Sequence, residues 1–280
     1  MGATVAAKKI LRTLQEVSRK KSLLQRIREY RPYIHFEQES ADFLVTTASG
    51  GHQLFKALEL RHEVFIKDWQ GRTTFHRLDV DDYDFNADHL LILDKEHGDV
   101  VGTYRLLSSH FTHDFYSAQE FTMNEFLRIP AVKLEMGRAC IHPDYRDGRT
   151  IDVLWSGLSK YIELSGTDYL FGCSSIKSVD PIHMSKLYRT LQDQGSWENP
   201  HSIQTTSDFF MPGFTHDAPE GLTPTEKREL LPPLLRSYLH AGAKVHGVPA
   251  WDRDFNCTDL MTILEWKNLN KRFQSRFMGG

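Results

Sequence analysis

The chain has 280 residues, of which 40% are hydrophobic and 25% charged, and its formal net charge is -3. This is the composition of a folded globular protein, which excludes disordered, collagen-like and coiled-coil proteins. The near balance of 34 basic and 37 acidic residues also excludes a uniformly basic nucleic-acid-binding protein.

Positive charge is concentrated at the N-terminus. Residues 1–31 carry nine basic and two acidic side chains, so this segment has a net charge of +7 and the remainder has -10. Apolar residues recur every three or four positions from Val5 to Ile27, which is the period of one helix face. We predict a basic amphipathic helix in a separate N-terminal segment, residues 1–40. It either caps the fold with a solvated basic side or binds anionic lipid headgroups or an acidic protein.

Residues 41–280 alternate between strand and helix patterns. The predicted strands are residues 43–47, 90–93, 100–107, 133–141, 169–176 and 258–266. The predicted helices begin at Gly51, Ile151, Pro181 and Pro233. A hairpin signal at residues 97–99 joins the second and third strands, and residues 195–225 are irregular. This order predicts an α/β protein with one core and a sheet of mixed strand direction.

Cysteine content and hydropathy indicate the compartment. Cys140, Cys173 and Cys257 are too few and too widely spaced for a disulfide framework or a zinc-binding pattern, so we expect no bound metal. No apolar stretch reaches the roughly 18 residues of a membrane span, and the basic N-terminus lacks the apolar core of a signal peptide. We expect a cytoplasmic protein that is soluble or, at most, peripheral at the inner face of the membrane.

A strand, a basic turn and a helix start follow one another between residues 135 and 151. Free N–H groups at a helix N-terminus favour a phosphate, and Arg146 and Arg149 would reinforce that preference. The single glycine, Gly148, is a weak signal because one glycine in a turn often only forms the turn.

Two pairs of polar residues lie in or next to the strand at residues 133–141. Glu135 and Arg138, three apart, should face opposite sides unless a bulge intervenes, and they are either a buried ion pair or catalytic. Cys140 and His142 share a face, but two strand positions seldom give the geometry of a thiol nucleophile and its base.

Four carboxylates lie within the six residues 79–84. The glycine and the terminal glutamate of a calcium-binding loop are missing. We expect most of these carboxylates to be solvated, with the alternative that they hold the cationic side chain of a substrate.

Ordered segments across most of the chain carry a family resemblance. They are residues 60–65, 88–94, 101–107, 115–121, 134–140, 170–175, 180–181, 231–235 and 254–259. Together they resemble the ornithine lipid N-acyltransferases, a branch of the GCN5-related N-acetyltransferase (GNAT) fold related to the acyl-homoserine-lactone synthases. The resemblance implies a mixed, mainly antiparallel central sheet with splayed middle strands and flanking helices over residues 41–280.

The same resemblance implies an activity. A 3-hydroxy fatty acyl group would pass from acyl carrier protein to the α-amine of an amino acid, usually ornithine, giving a lyso-ornithine lipid. Glu135 matches the family's strand glutamate and would accept the amine proton directly or through a water. Arg138 and Cys140 belong to the same catalytic segment, and backbone N–H groups of residues 136–140 would stabilise the oxyanion.

The donor and acceptor sites are also implied by resemblance. The phosphopantetheine arm would be held by Ile141, Arg146, Gly148, Arg149, Thr150 and Ile151. The acceptor would be held by Arg61, Phe65, Trp69, Asp81, Asp84, Arg105 and Ser174. Asp81 and Asp84 suit a cationic side chain, and Arg105 or Arg138 suits its carboxylate. Plain packing explains Phe65 and Trp69 equally well.

Thr150 stands where the acetyltransferase pattern has a second glycine. This departure weakens the case for coenzyme A and fits a carrier protein, whose arm carries a single phosphate. Acyl-CoA stays open as donor, and no resident cofactor is expected.

Three alternatives remain open at this point. The acceptor could be glycine or lysine, giving an N-acyl amino acid, or the product could be an acyl-homoserine lactone. In a different class, the fold could bind acyl carrier protein or lipid without catalysis. The expected partners are acyl carrier protein, an amino acid and an anionic membrane surface, and no nucleic acid.

Overall fold

This computed structural model describes residues 22–74, 76–146 and 148–277. The strands, numbered in chain order, are β1 (Glu37–Glu39), β2 (Phe43–Thr47), β3 (Asp88–Asp94), β4 (Val100–Ser108), β5 (Phe121–Thr122), β6 (Lys133–Ile141), β7 (Tyr169–Ile176), β8 (Trp197–Glu198), β9 (Gln204–Thr205), β10 (Lys244–Asp252) and β11 (Cys257–Glu265). The helices are α1 (residues 22–29), α2 (Gly51–Arg61), α3 (Asn124–Arg128), α4 (Arg149–Ser165), α5 (Pro181–Asp193), α6 (Pro224–Leu230), α7 (Pro233–Ala241) and α8 (Lys271–Phe277).

The chain divides into two compact units. The first consists of Met1–Tyr104 and Arg138–Val153, and the second of Arg105–Gly137 and Leu154–Gly280. β4, β6 and α4 therefore contribute residues to both.

In the first unit the strand order is β1-β2-β3-β4-β6, and β2 is antiparallel to both β1 and β3. The core lies between this sheet and α2, whose Leu54 and Leu58 are fully buried. Ile27 and Tyr30 belong to the same core at 4% exposure. Ile27 and Tyr30 thus attach residues 22–30 to this core, and the rest of the predicted N-terminal helix, up to residue 21, lies outside the described residues.

In the second unit the strand order is β4-β6-β7-β11-β10-β8, and β5 pairs with β9 in a separate ribbon. β7 and β11 pair antiparallel along their full lengths, as do most of β10 and β11, while β6 is parallel to β7. The expectation of an α/β fold with a mixed, mainly antiparallel sheet flanked by helices is confirmed.

β6 departs from regular strand geometry near its middle. Its register with β7 ends at Glu135 opposite Phe171. One residue further along β7, any side chain at Gly172 would collide with the carbonyl oxygen of Met136. Arg138 has φ 54°, a left-handed conformation that only a few per cent of non-glycine residues adopt. β6 is therefore irregular at Arg138, which is the exception that the sequence analysis allowed for the faces of Glu135 and Arg138.

The six predicted strands are confirmed, but the nine-residue strand β10 was not predicted. Gly247 and Pro249 within it argue against a strand, because both weaken a regular ladder. The structure accommodates them with a register shift between His246 and Ala250, where Gly247 has φ 69°. The helix predicted from Ile151 begins two residues earlier, as α4. Among the described residues, no helix is both long and apolar enough to cross a membrane.

Candidate functional site

The first unit contains a buried cluster of opposite charges. Arg61 ends α2 and is completely buried, because its guanidinium is enclosed by the acidic loop at residues 79–84. Its Nη1 and Nη2 donate to the two carboxylate oxygens of Asp84 at 2.6 and 3.2 Å, and its Nε donates to Asp79 Oδ2 at 2.8 Å. This is the two-pronged geometry that a guanidinium offers a carboxylate.

Arg138 joins the same cluster from β6. Its Nε lies 3.3 Å from Asp79 Oδ2, and its Nη2 donates to Asp81 Oδ2 at 3.4 Å. The backbone N–H of Asp81 donates to Asp84 at 2.8 Å, so the loop is also tied to itself. A left-handed non-glycine residue costs on the order of 1–3 kcal/mol, and these contacts hold Arg138 in that conformation.

Charge compensation explains how these groups tolerate burial. Burial by itself raises the pKa of Asp79, but Arg61 and Arg138 outweigh it and hold that pKa below its usual range. Burial likewise lowers the pKa of Arg61, and Asp84 and Asp79 more than reverse the effect. Removing one member of such a buried pair typically costs about 3–5 kcal/mol. The cluster is therefore a structural requirement of the first unit.

The expectation that most of the acidic loop is solvated is wrong for two of its members. Asp79 and Asp84 are 8% and 0% exposed, because they neutralise the arginines. The Asp81 side chain is 26% exposed. Among the residues predicted to bind the acceptor, Asp84 faces Arg61 in this structure and Asp81 is the more accessible of the two.

Phe65 and Trp69 lie in residues 62–69, where α2 continues as a π-helix. Both are half-buried, and Phe65 packs against the core of Leu60, Val64 and Cys140. π-helical segments often mark functional sites, but the packing of Phe65 needs no ligand to explain it. Substrate contact by these two residues stays a prediction.

The predicted donor-binding residues form one tight turn between β6 and α4. The Nε of Arg146 donates to Ile141 O at 3.0 Å, and the buried Thr150 hydroxyl donates to Tyr145 O at 2.6 Å. Gly148 has φ 89°, with open space where a side chain would stand.

The exposed Arg149 begins α4, and Ile151 follows within its first turn. Arg146 and Arg149 thus lie beside a helix N-terminus, which is a suitable arrangement for a phosphate, although Arg149 Nη1 donates to Asp42 Oδ2 at 3.2 Å in this structure.

Cys140 is a poor nucleophile in this setting. It is 8% exposed, and burial raises the pKa of its thiol to about 12. Because the thiolate is the reactive form, a thiol with so high a pKa is inert near neutral pH. His142 accepts a hydrogen bond from the backbone N–H of Asp144, at 3.4 Å, on the exposed turn.

The second unit holds Glu135, which is 2% exposed. Its Oε2 accepts the backbone N–H of Tyr116 at 2.8 Å, and its Oε1 accepts the backbone N–H of Ser117 at 2.6 Å together with the Ser117 hydroxyl. Three donors therefore fix the carboxylate in one orientation, while a carboxylate has about four acceptor positions in all.

Opposing effects set the basicity of Glu135. Burial raises its pKa above the usual range, although the Ser117 hydrogen bonds and the positive charge of Arg105 work in the other direction. Arg105 is 2% exposed, and its guanidinium lies 5.3 Å from the ring centre of Tyr116. A carboxylate with a raised pKa and a fixed orientation is suited to accepting a proton near neutral pH.

Ser174 is the remaining predicted acceptor residue. It is half-buried in β7, and its Oγ accepts a hydrogen bond from Thr262 in β11 at 2.9 Å.

Within the second unit the structure brings Glu135 and Arg105 together, and within the first it brings Arg61, Arg138 and the acidic loop together. Sequence reasoning assigned no role to Tyr116 and Ser117, which hold Glu135. The signal available was that both lie in residues 115–121, one of the segments carrying the family resemblance.

A family model described as an acetyltransferase (GNAT) domain matches residues 60–156. The chain is similar to L-ornithine N(alpha)-acyltransferases over most of its length. The relative from Rhizobium meliloti (strain 1021) is 32% identical and covers 81% of each chain. The relative from Agrobacterium fabrum (strain C58 / ATCC 33970) is 30% identical over 83% of this chain and 84% of its own. That from Brucella abortus (strain 2308) is 31% identical over 79% and 83%.

Two solved structures are also similar at low sequence identity. The AHL synthase LasI is 16% identical, covering 86% of this chain and 97% of its own, with a TM-score of 0.48. FeeM, an N-acyl amino acid synthase from uncultured soil microbes, is 10% identical over 84% and 99%, with a TM-score of 0.48.

Proposed function

Because the chain belongs to the L-ornithine N(alpha)-acyltransferase family and is an acyltransferase, we propose that it acylates the α-amine of ornithine. The proposed donor is a 3-hydroxy fatty acyl group carried by acyl carrier protein, and the product is a lyso-ornithine lipid. The observation that best supports a transfer to an amine is the buried, three-donor setting of Glu135.

Glu135 is proposed as the general base. It accepts a proton from the α-ammonium group, directly or through one water, and the free amine attacks the thioester carbonyl carbon. The new C–N bond forms as the carbonyl becomes an oxyanion, for which the backbone N–H groups of residues 136–140 are the proposed donors. Collapse of the oxyanion breaks the C–S bond, and the departing thiolate takes up the proton that the nitrogen loses as it becomes a neutral amide.

The turn between β6 and α4 is proposed to hold the phosphopantetheine arm. Exposed Arg149 and Arg146 suit a phosphate, and the hydroxyl of Thr150 closes the turn onto Tyr145. The threonine in place of a glycine favours the single phosphate of a carrier protein over the pyrophosphate of coenzyme A.

For the acceptor, we propose that Asp81 attracts the cationic side chain of ornithine. Its carboxylate is partly exposed, whereas the carboxylate of Asp84 is buried in an ion pair with Arg61. Arg105 and Arg138 remain the proposed partners of the acceptor carboxylate. The basic N-terminal residues would bring the enzyme to acyl carrier protein or to an anionic membrane surface, which receives the product.

The test incubates the full chain with 3-hydroxyacyl-acyl carrier protein and an equimolar mixture of ornithine, lysine and glycine, and detects acylated products by mass spectrometry. Acyl-ornithine should dominate, and matched reactions with acyl-CoA should be slower. Acyl-lysine or acyl-glycine as the main product would replace ornithine as acceptor. Binding of acylated carrier protein without turnover of any amine would overturn the catalytic proposal. If S-adenosylmethionine replaces the amino acids and an acyl-homoserine lactone forms, the enzyme would instead be a synthase of that signal.

A further inference from the structure

A second cluster of ionisable groups lies in the second unit, at the turn that joins β10 and β11. The ligand atoms of Asp252, Cys257 and Asp259 all lie within 4.8 Å of one another. The three residues are 5%, 1% and 3% exposed. Two carboxylates and a thiol are thus gathered in a space the size of a metal coordination shell.

The hairpin itself creates this arrangement. Asp252 pairs with Cys257 across the ladder, and Asp259 follows Cys257 by two residues on the same face of β11. Asp252 Oδ1 accepts the backbone N–H groups of Asp254 and Phe255 at 2.8 and 2.9 Å, which closes the turn. From β7, the Ser175 hydroxyl donates to Asp259 Oδ1 at 2.5 Å. The Cys257 thiol donates to the other oxygen of Asp259, Oδ2, at 3.9 Å, so thiol and carboxylate are already in contact.

Glu120 provides an independent indication of a ligand. It is 1% exposed, and neither of its carboxylate oxygens has a donor in hydrogen-bond geometry among the described residues, although Asp259 and the Cys173 thiol lie beside them. Burial, together with the negative charges of Asp259 and Asp252, raises its pKa to about 10, so its carboxyl group faces the cluster.

The cluster has an unfavourable charge balance. Burial raises the pKa of the Cys257 thiol, and Asp259, Asp252 and Glu120 all add to that effect. The strongest neighbouring charges on Glu120 and Cys257 are thus negative, unlike those at the Arg61 cluster. Gathering negative charges in the interior costs free energy, which a bound cation would offset.

We propose that Asp252, Cys257 and Asp259, together with Glu120, bind one divalent transition-metal ion of the Zn²⁺ type. A thiolate ligand selects against Mg²⁺ and Ca²⁺, which take oxygen ligands, and mixed thiolate and carboxylate donors suit zinc. On binding, the thiol of Cys257 releases its proton to solvent as the metal–sulfur bond forms. Glu120, which is not in the 4.8 Å group, would complete a closed site of four protein ligands, and such a site is typical of a structural ion.

The position of Glu120 gives the ion a structural consequence. Glu120 follows Ser117 by three residues, and Ser117 holds Glu135 through its N–H and hydroxyl groups. An ion bound to Glu120 would tie this short segment to the β10–β11 turn. Sequence spacing does not indicate the site, because its ligands come from two distant segments and no second cysteine lies close to Cys257 in the sequence.

The full chain is purified without metal-chelate chromatography. Its content of zinc, iron and manganese is then measured by inductively coupled plasma mass spectrometry. About one ion per chain is expected. Co²⁺ exchanged into the protein should give a thiolate-to-cobalt charge-transfer absorption. Cys257→Ser and Asp259→Asn should lose the ion and the absorption, while Cys140→Ser, which removes a buried cysteine of the first unit, should keep both.

Thermal unfolding of the wild-type chain tests for the same ion without any variant that must fold. A membrane-permeable chelator should lower the melting temperature of the wild-type chain, and added Zn²⁺ should restore it. Metal-free wild-type protein that Zn²⁺ and Co²⁺ do not stabilise would overturn the proposal and assign the cluster to a proton shared by Glu120 and Asp259. An ion retained by both ligand variants would overturn it as well. None of these readouts depends on the proposed acyltransfer.

Discussion

Replacing Glu135 with glutamine should abolish most of the activity and also cost stability, and the two effects have separate origins. General-base catalysis typically contributes about 10²–10⁴-fold in rate, so kcat/KM for ornithine should fall by that factor. The stability effect follows from the three donors that Glu135 accepts. A glutamine amide nitrogen must face either Tyr116 N–H or the Ser117 donors, and a buried donor left without an acceptor costs about 1–3 kcal/mol.

The assay therefore combines single-turnover acylation with urea unfolding of the same preparation. Glu125→Gln is the matched control, since Glu125 is exposed on α3 and should lose neither activity nor stability. A folded Glu135→Gln enzyme with wild-type kcat/KM would refute Glu135 as the base. Full stability in that variant would refute the three-donor arrangement.

The remaining predictions concern pH dependence, packing and the N-terminus. Ser117→Ala removes a hydroxyl that lowers the pKa of Glu135, so that pKa should rise and the acid limb of the kcat/KM profile should move to higher pH. Gly172→Ala should destabilise the fold by about 3 kcal/mol in urea unfolding through overpacking, whereas Gly137→Ala, whose added carbon meets nothing closer than 3.8 Å, should change it by less than about 1 kcal/mol. Deleting residues 1–21 should lower the fraction of the protein that co-sediments with anionic vesicles at low salt and should remove the salt dependence of that fraction. Unchanged co-sedimentation would favour a capping role for the segment.

Much of the fold could be predicted because its strands are apolar and its breaks carry glycine, proline or aspartate. β2, β6 and β7 have the predicted bounds. β10 could not be predicted, since a bulge at Gly247 interrupts the two-residue alternation on which strand prediction depends. The helical period places Ile27 on an apolar face but does not show what that face packs against, and only the structure shows that Ile27 lies in the core of the first unit.

The site was less predictable than the fold because residue type does not reveal burial. The acidic loop has the composition of a solvated turn, and only the contact with Arg61 shows that Asp79 and Asp84 are interior groups. The donors to Glu135 are even less visible, since two of the three are backbone N–H groups. Backbone donors leave no trace in amino-acid identity.

The two buried charge clusters illustrate opposite solutions to one problem. At Asp79 and Asp84 the chain supplies its own cations, Arg61 and Arg138, and the pKa of Asp79 falls below its usual range. At Glu120 the strongest neighbouring charges are those of Asp259 and Asp252, and its pKa rises to about 10. Arg61 and Arg138 neutralise the first cluster, whereas protons or a bound cation would neutralise the acidic groups of the second. The close grouping of Asp252, Cys257 and Asp259, which no sequence pattern reports, therefore distinguishes the cluster for which we propose an ion from the cluster that the chain neutralises itself.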